Sequence, residues 1–96
     1  MVTLEHLRRE KKADILRLAE MHGCRNVRVF GSVATGNNRP DSDVDFLVEF
    51  DRGKNLFDLI GLKLDLENLL GVSVDLVTPG SLRYVRDRVL AEAVPL

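Results

Sequence analysis

The chain has one cysteine, Cys24, in 96 residues, and so cannot close an internal disulfide. No Cys/His set has the spacing of a zinc site, and Cys24 reads as a packing residue at a helix end or strand start. No apolar run is long enough to cross a bilayer, so no membrane association is expected. The stretch MVTLEHLRREKKADIL is charged throughout and lacks the apolar segment of a secretory signal. These absences point to a reduced, cytoplasmic protein. An excess of either charge is also missing: 14 Lys and Arg against 15 Asp and Glu leave a net charge of −1. Without a basic field, the composition weighs against a nucleic acid partner. Repeats and low-complexity linkers are absent, and the length predicts one domain over 1–96. With 45 % apolar and 30 % charged residues, the composition suits a globular fold with a real but modest core.

The order of elements follows from apolar spacing and its breakers. Thr3 can cap a first helix whose apolar positions include Leu4, Leu7, Ile15, Leu18 and Ala19, stopped at Gly23. His6 and His22 are expected on its surface. VRVF predicts a strand over 27–30, broken by Gly31. GNNRPDS is dense in turn formers and predicts a loop over 36–42. VDFLVEF predicts a central strand over 44–50. Asn55 can cap a long helix over 56–70, apolar on more than one side, with Gly71 as its stop. VSVDLVT predicts a third strand over 72–78. After it, Ser81 can cap a last helix reaching about residue 93, in which Tyr84 would pack.

The order is therefore α-β-β-α-β-α. Strands two and three flank a helix and are expected to be parallel with a right-handed crossover. Strands one and two share a short loop and are expected to be antiparallel. The fold class is α/β (α+β): a small mixed β-sheet of about three strands with helices packed on it.

Two carboxylates interrupt the second apolar strand. Asp43 and Asp45, at i and i+2, project to one face roughly 7 Å apart, while Val44, Phe46 and Val48 take the other. If strands two and three are adjacent, Asp75 in VSVDLV comes up beside that pair. Carboxylates so placed repel and carry a desolvation cost, so something positive must offset them. Arg28 and Arg39 are local candidates, and divalent metal is the better one. Hard Mg2+ takes a few carboxylates, waters and phosphates. Three carboxylates can hold two ions about 4 Å apart for in-line displacement at phosphorus. Gly31 and Ser32, at the end of strand one, would lie next to Asp43, where bare backbone N–H groups and a hydroxyl can bond phosphate, especially with a short helix starting at Val33. Each feature alone has a plainer explanation as a turn, a cap or surface charge; their convergence on one end of one sheet is what carries weight.

FGS, ten intervening residues, then DVD resembles the signature of the DNA polymerase β-like nucleotidyltransferase superfamily. The longer stretch GSVATGNNRPDSDVDFLVEF, with VDLVTP and RVLAEAVPL, resembles its small stand-alone branch, the minimal nucleotidyltransferases. That resemblance implies the polymerase β-like nucleotidyltransferase fold, and two Mg2+ ions on Asp43, Asp45 and Asp75. It also implies ATP as substrate, held by Gly31 and Ser32 and delivering AMP to a hydroxyl. It further implies a HEPN-domain toxin as partner, with this chain as antitoxin and a toxin tyrosine as acceptor. Related small members often carry an arginine where this chain has Thr35, which leaves Arg39 as the basic residue able to contact nucleotide. Two other readings stand beside it. One is a non-catalytic antitoxin that covers its partner through the C-terminal tail VLAEAVPL or the helix over 56–70. The other is nucleotidyl transfer to a small molecule or an RNA end. Homo- and hetero-oligomers are both left open.

Overall fold

A computed structural model of the chain describes residues 2–53, 55–82 and 86–96. Tyr84, expected to pack in the last helix, lies outside the described residues. Helix α1 (Leu4–His6) starts at Thr3, whose hydroxyl accepts a hydrogen bond from the His6 N–H at 3.1 Å. A π-helical turn (Leu7–Lys11) leads into α2 (Lys12–Met21). The π turn corrects a phase error in the sequence. Leu7 and Ile15 are eight residues apart, about 80° out of register on a regular helix. A π turn absorbs roughly one residue, and both side chains are fully buried.

Strand β1 (Cys24–Phe30) begins three residues earlier than expected. Its register shifts between Arg25 and Arg28, where Asn26 has φ +51°. This bulge breaks the apolar alternation that made only 27–30 legible. A five-residue helix, α3 (Gly31–Thr35), follows at once. Strand β2 (Val44–Phe50) and helix α4 (Leu56–Leu70) have the expected bounds. Asn55 and Asp58 form a reciprocal cap on α4, with bonds of 2.9 and 3.0 Å. Strand β3 (Val74–Val77) is shorter than expected.

The end of the chain corrects two expectations. Ser81 does not cap the last helix: it closes a 3-10 turn (Pro79–Ser81), Leu82 is extended, and α5 spans Arg86–Glu92. The tail then forms a fourth strand, β4 (Val94–Pro95), on the free edge of β1. Arg8 clamps it by donating to the Pro95 carbonyl at 2.7 Å, and Leu96 is buried. The tail is therefore part of the sheet and its core.

The sheet order is β3-β2-β1-β4, with β1 antiparallel to β2 and β2 parallel to β3. Val29, Val44, Phe46, Val48, Val74 and Leu76 form one face. They pack on Leu7, Ile15 and Ala19 of the first helical segment and on Leu62 and Leu66 of α4. Helix α5 lies against the other face, where Leu90 lines a cavity with Arg28 and Glu49. Among the described residues no helix is long and apolar enough to cross a membrane.

Candidate active site

Sheet register assembles the carboxylates. Asp45 pairs across β2–β3 with Asp75, and across β1–β2 with Phe30, the last residue of β1. In-register neighbours share a face. Asp45 and Asp75 therefore stand side by side on the face away from the main core, with Asp43 one residue ahead of β2 on the same side. Asp43 and Asp75 are exposed and Asp45 is half-buried.

The electrostatics report the same convergence. Asp45 is pushed up from an ordinary 3.8 to about 6, first by burial, then by the charges of Asp75 and Asp43. Among the described residues no cation relieves it. Arg28 turns along the sheet to Glu49, with 3.5 Å between Nη2 and Oε2, rather than toward Asp45. Its Nε is buried without a partner. Arg39 is exposed in the loop, where Ser42 pins its backbone: the Arg39 N–H donates to Ser42 Oγ at 2.7 Å.

Gly31 closes the site from the β1 side. Its φ is +71°, and a Cβ built there would overlap Asp45 Oδ2 and lie 3.1 Å from Asp45 Cγ. Only glycine allows both the left-handed backbone and this approach. Helix α3 starts at Gly31, two residues before the expected Val33, so Gly31 and Ser32 are its first turn. Thr35 ties that turn down, donating to the Gly31 carbonyl at 3.2 Å or the Ser32 carbonyl at 3.4 Å. Asn38 fastens the following loop by donating to the Val2 carbonyl at 2.6 Å. Both tethers were missed in the sequence, because their partners are backbone carbonyls and carry no sequence signal.

Among the described residues no group of three His, Cys, Asp or Glu is placed so that it could by itself hold a metal ion. The donor set still fits a hard divalent cation. It consists of three carboxylates, two of them exposed, and among the described residues their mutual repulsion lacks a basic side chain to offset it. Mg2+ takes one or two carboxylates and fills the rest of its shell with water and phosphate oxygens, so it needs no cage. The cavity of about 530 Å³ lined by Arg28, Glu49, Phe50, Thr78, Pro79, Gly80 and Leu90 lies toward the other end of β2 and is not this site.

A half-buried carboxylate with two others near it, faced by a glycine-opened helix start on a mixed sheet, is an arrangement that can serve phosphoryl or nucleotidyl transfer. The nucleotidyltransferase domain family matches residues 11–96, and the chain belongs to that family. The Methanocaldococcus jannaschii protein MJ0435, assigned by name to the protein adenylyltransferases, is 43 % identical over 88 % of this chain and 92 % of its own length. Protein adenylyltransferase MntA of Thermococcus cleftensis is 42 % identical over 98 % of this chain and 96 % of its own. A solved structure described as a minimal nucleotidyltransferase superposes with a TM-score of 0.85 at 51 % identity, covering 99 % of this chain and 97 % of that one. A toxin–antitoxin structure with AMP-PNP shares the fold, with a TM-score of 0.74 at 22 % identity over 88 % of this chain and 71 % of that one. The fold expected from the sequence is thus the fold observed, with one added strand, and the chain is a nucleotidyltransferase.

Proposed function

We propose that this nucleotidyltransferase moves AMP from ATP to a hydroxyl of a partner protein, a HEPN-domain toxin whose tyrosine it adenylylates, and so acts as an antitoxin in the cytoplasm. The observation that carries the reading is the register pair Asp45–Asp75 closed by Gly31. The relatives named as protein adenylyltransferases support the acceptor class. The shared fold with a toxin–antitoxin structure holding an ATP analogue is consistent with the partner.

Each residue has a part in that chemistry. Gly31 and Ser32 offer backbone N–H groups and a hydroxyl to the triphosphate oxygens, and Arg39 is exposed on the loop that follows α3. Asp43, Asp45 and Asp75 would hold Mg2+ as two ions, which would neutralise phosphate charge and favour the ionised acceptor. The acceptor oxygen attacks the α-phosphorus of ATP. The new P–O bond forms as the bond to the bridging oxygen breaks, and pyrophosphate leaves. The hydroxyl proton passes to a carboxylate, for which Asp75, exposed at the mouth, is best placed. Positioning and charge neutralisation account for most of the rate gain.

The test mixes the protein with labelled ATP, Mg2+ and the folded toxin encoded beside it. Label is expected on the toxin with wild type and not with Asp45→Asn. Neutralisation of the toxin by an Asp43→Asn, Asp45→Asn double variant would refute adenylylation as the mechanism.

A further inference from the structure

Helix α4 is apolar on two opposite sides. Leu62 and Leu66 are fully buried against the sheet, which accounts for one side. The other side carries Leu56, Ile60 and Leu64 at four-residue spacing with Phe57 beside them. These are 65, 44, 54 and 82 % exposed. Met21, at the end of α2, is also exposed, at 69 %. It precedes His22, which packs against Gly61 and sits 2.6 Å from Asp65, both on α4. The four residues on α4 together expose an apolar stripe on the scale of the largest patch of a typical monomer, about 300–600 Å².

We propose that this side of α4 is the interface of a homodimer, with two copies packing α4 on α4 in antiparallel fashion about a two-fold axis. The stripe is self-complementary. It is symmetric about Ile60, so Leu56 of one copy meets Leu64 of the other, and four-residue ridges interdigitate. The area suits that occupant. A stable complex needs about 800 Å² per partner, and a polar rim supplies the difference. Lys63, paired with Glu67 at 3.3 Å, flanks the ridge and can lay its stem along Phe57 of the other copy. The placement suits it too. Helix α4 covers the sheet face opposite Asp45 and Asp75, so pairing leaves both carboxylate sites open and facing away from the axis. A larger partner such as a toxin could then engage each site independently.

The interface is independent of the proposed acceptor, and its test reads mass rather than transfer. Light scattering after size exclusion, from low micromolar to submillimolar protein, should give twice the monomer mass. Phe57→Glu and Leu64→Glu, both at exposed positions, should weaken the dimer about 30-fold or more while circular dichroism is unchanged. Ile60→Cys should cross-link to itself on mild oxidation. Monomer mass at every concentration would overturn the proposal, as would a dimer that both variants leave intact. So would a monomeric wild type whose toxin binding the same variants abolish, since the stripe would then belong to the toxin.

Discussion

Gly31→Ala separates the cost of a backbone conformation from the cost of a misplaced carboxylate. At φ +71° an alanine pays the left-handed penalty of about 1–2 kcal/mol. The overlap of its Cβ with Asp45 Oδ2 is extra, and the short Asp45 side chain relieves it by turning away from the mouth. Stability should therefore fall by only about 1–2 kcal/mol, a Tm shift of roughly 4–15 °C for a domain of this size. Activity should fall much further, because a displacement of about 1 Å at a reacting centre can cost about 100-fold. Gly53→Ala is the control. Gly53 has φ +83° with nothing within 4 Å of its built Cβ, and it lies past the far end of β2. It should show a similar Tm loss and retain transfer activity. Both proteins would be assayed for thermal unfolding and for label transfer at a temperature where each is folded. If folded Gly31→Ala transfers label within about threefold of Gly53→Ala, a range of about 0.65 kcal/mol in barrier, the close approach of Gly31 to Asp45 is irrelevant to catalysis.

Three further outcomes follow from the same geometry. Folding raises Asp45 from 3.8 to about 6, so its contribution favours the fold below pH 4 and fades as pH rises. Above 6 it costs stability, an amount that solvent screening of this partly exposed side chain holds to on the order of 1 kcal/mol. Without divalent metal, Asp45→Asn should therefore be more stable than wild type at pH 8, with the gap closing by pH 4 in urea titrations; a gap independent of pH would contradict this. Mg2+ should raise the Tm of wild type at pH 8 and leave Asp45→Asn, Asp75→Asn nearly unmoved in the same scan, so equal shifts would place the ion elsewhere. Leu62→Ala, at a fully buried position between α4 and the sheet, should cost about 2–5 kcal/mol by chemical denaturation, and a loss below 1 kcal/mol would mean the core is drawn wrongly.

What the sequence showed depended on the range of the interaction behind each element. β2 and α4 were legible to the residue because their signals are local: an apolar strand run, the Asn55/Asp58 cap and Gly71 as stop. The pairing of Asp45 with Asp75 was legible one step further, since a strand–helix–strand unit must cross over to a parallel neighbour. β4 was not, because two residues, one of them proline, become a strand only by reaching β1 from the other end of the chain. The π turn was hidden for a different reason: the phase error between Leu7 and Ile15 still fits within the broad apolar face of a plain helix. Within the site, the position of Gly31 after a strand was visible, but its contact with Asp45 needed the register Phe30–Asp45. The direction taken by Arg28 was also beyond reach, because strand alternation gives its face and not which neighbour on that face it would choose.

The two faces of this sheet are under opposite demands, and the small size of the chain makes the conflict visible. Val44, Phe46 and Val48 contribute burial on one face of β2, while Asp45 on the other carries a charge that burial and two neighbouring charges disfavour. A domain of about 100 residues has roughly 5–15 kcal/mol of net stability, so even a screened penalty on the order of 1 kcal/mol at one position counts. Such a residue persists in a fold when its charged, unneutralised state is what the chemistry uses. In the proposed reaction positive charge would arrive with the nucleotide and relieve that repulsion, which would couple stability to substrate binding through the same carboxylate. The removal of that carboxylate should therefore improve the fold at neutral pH and abolish transfer in one step, which is the reverse of what a structural ion-pair residue would do.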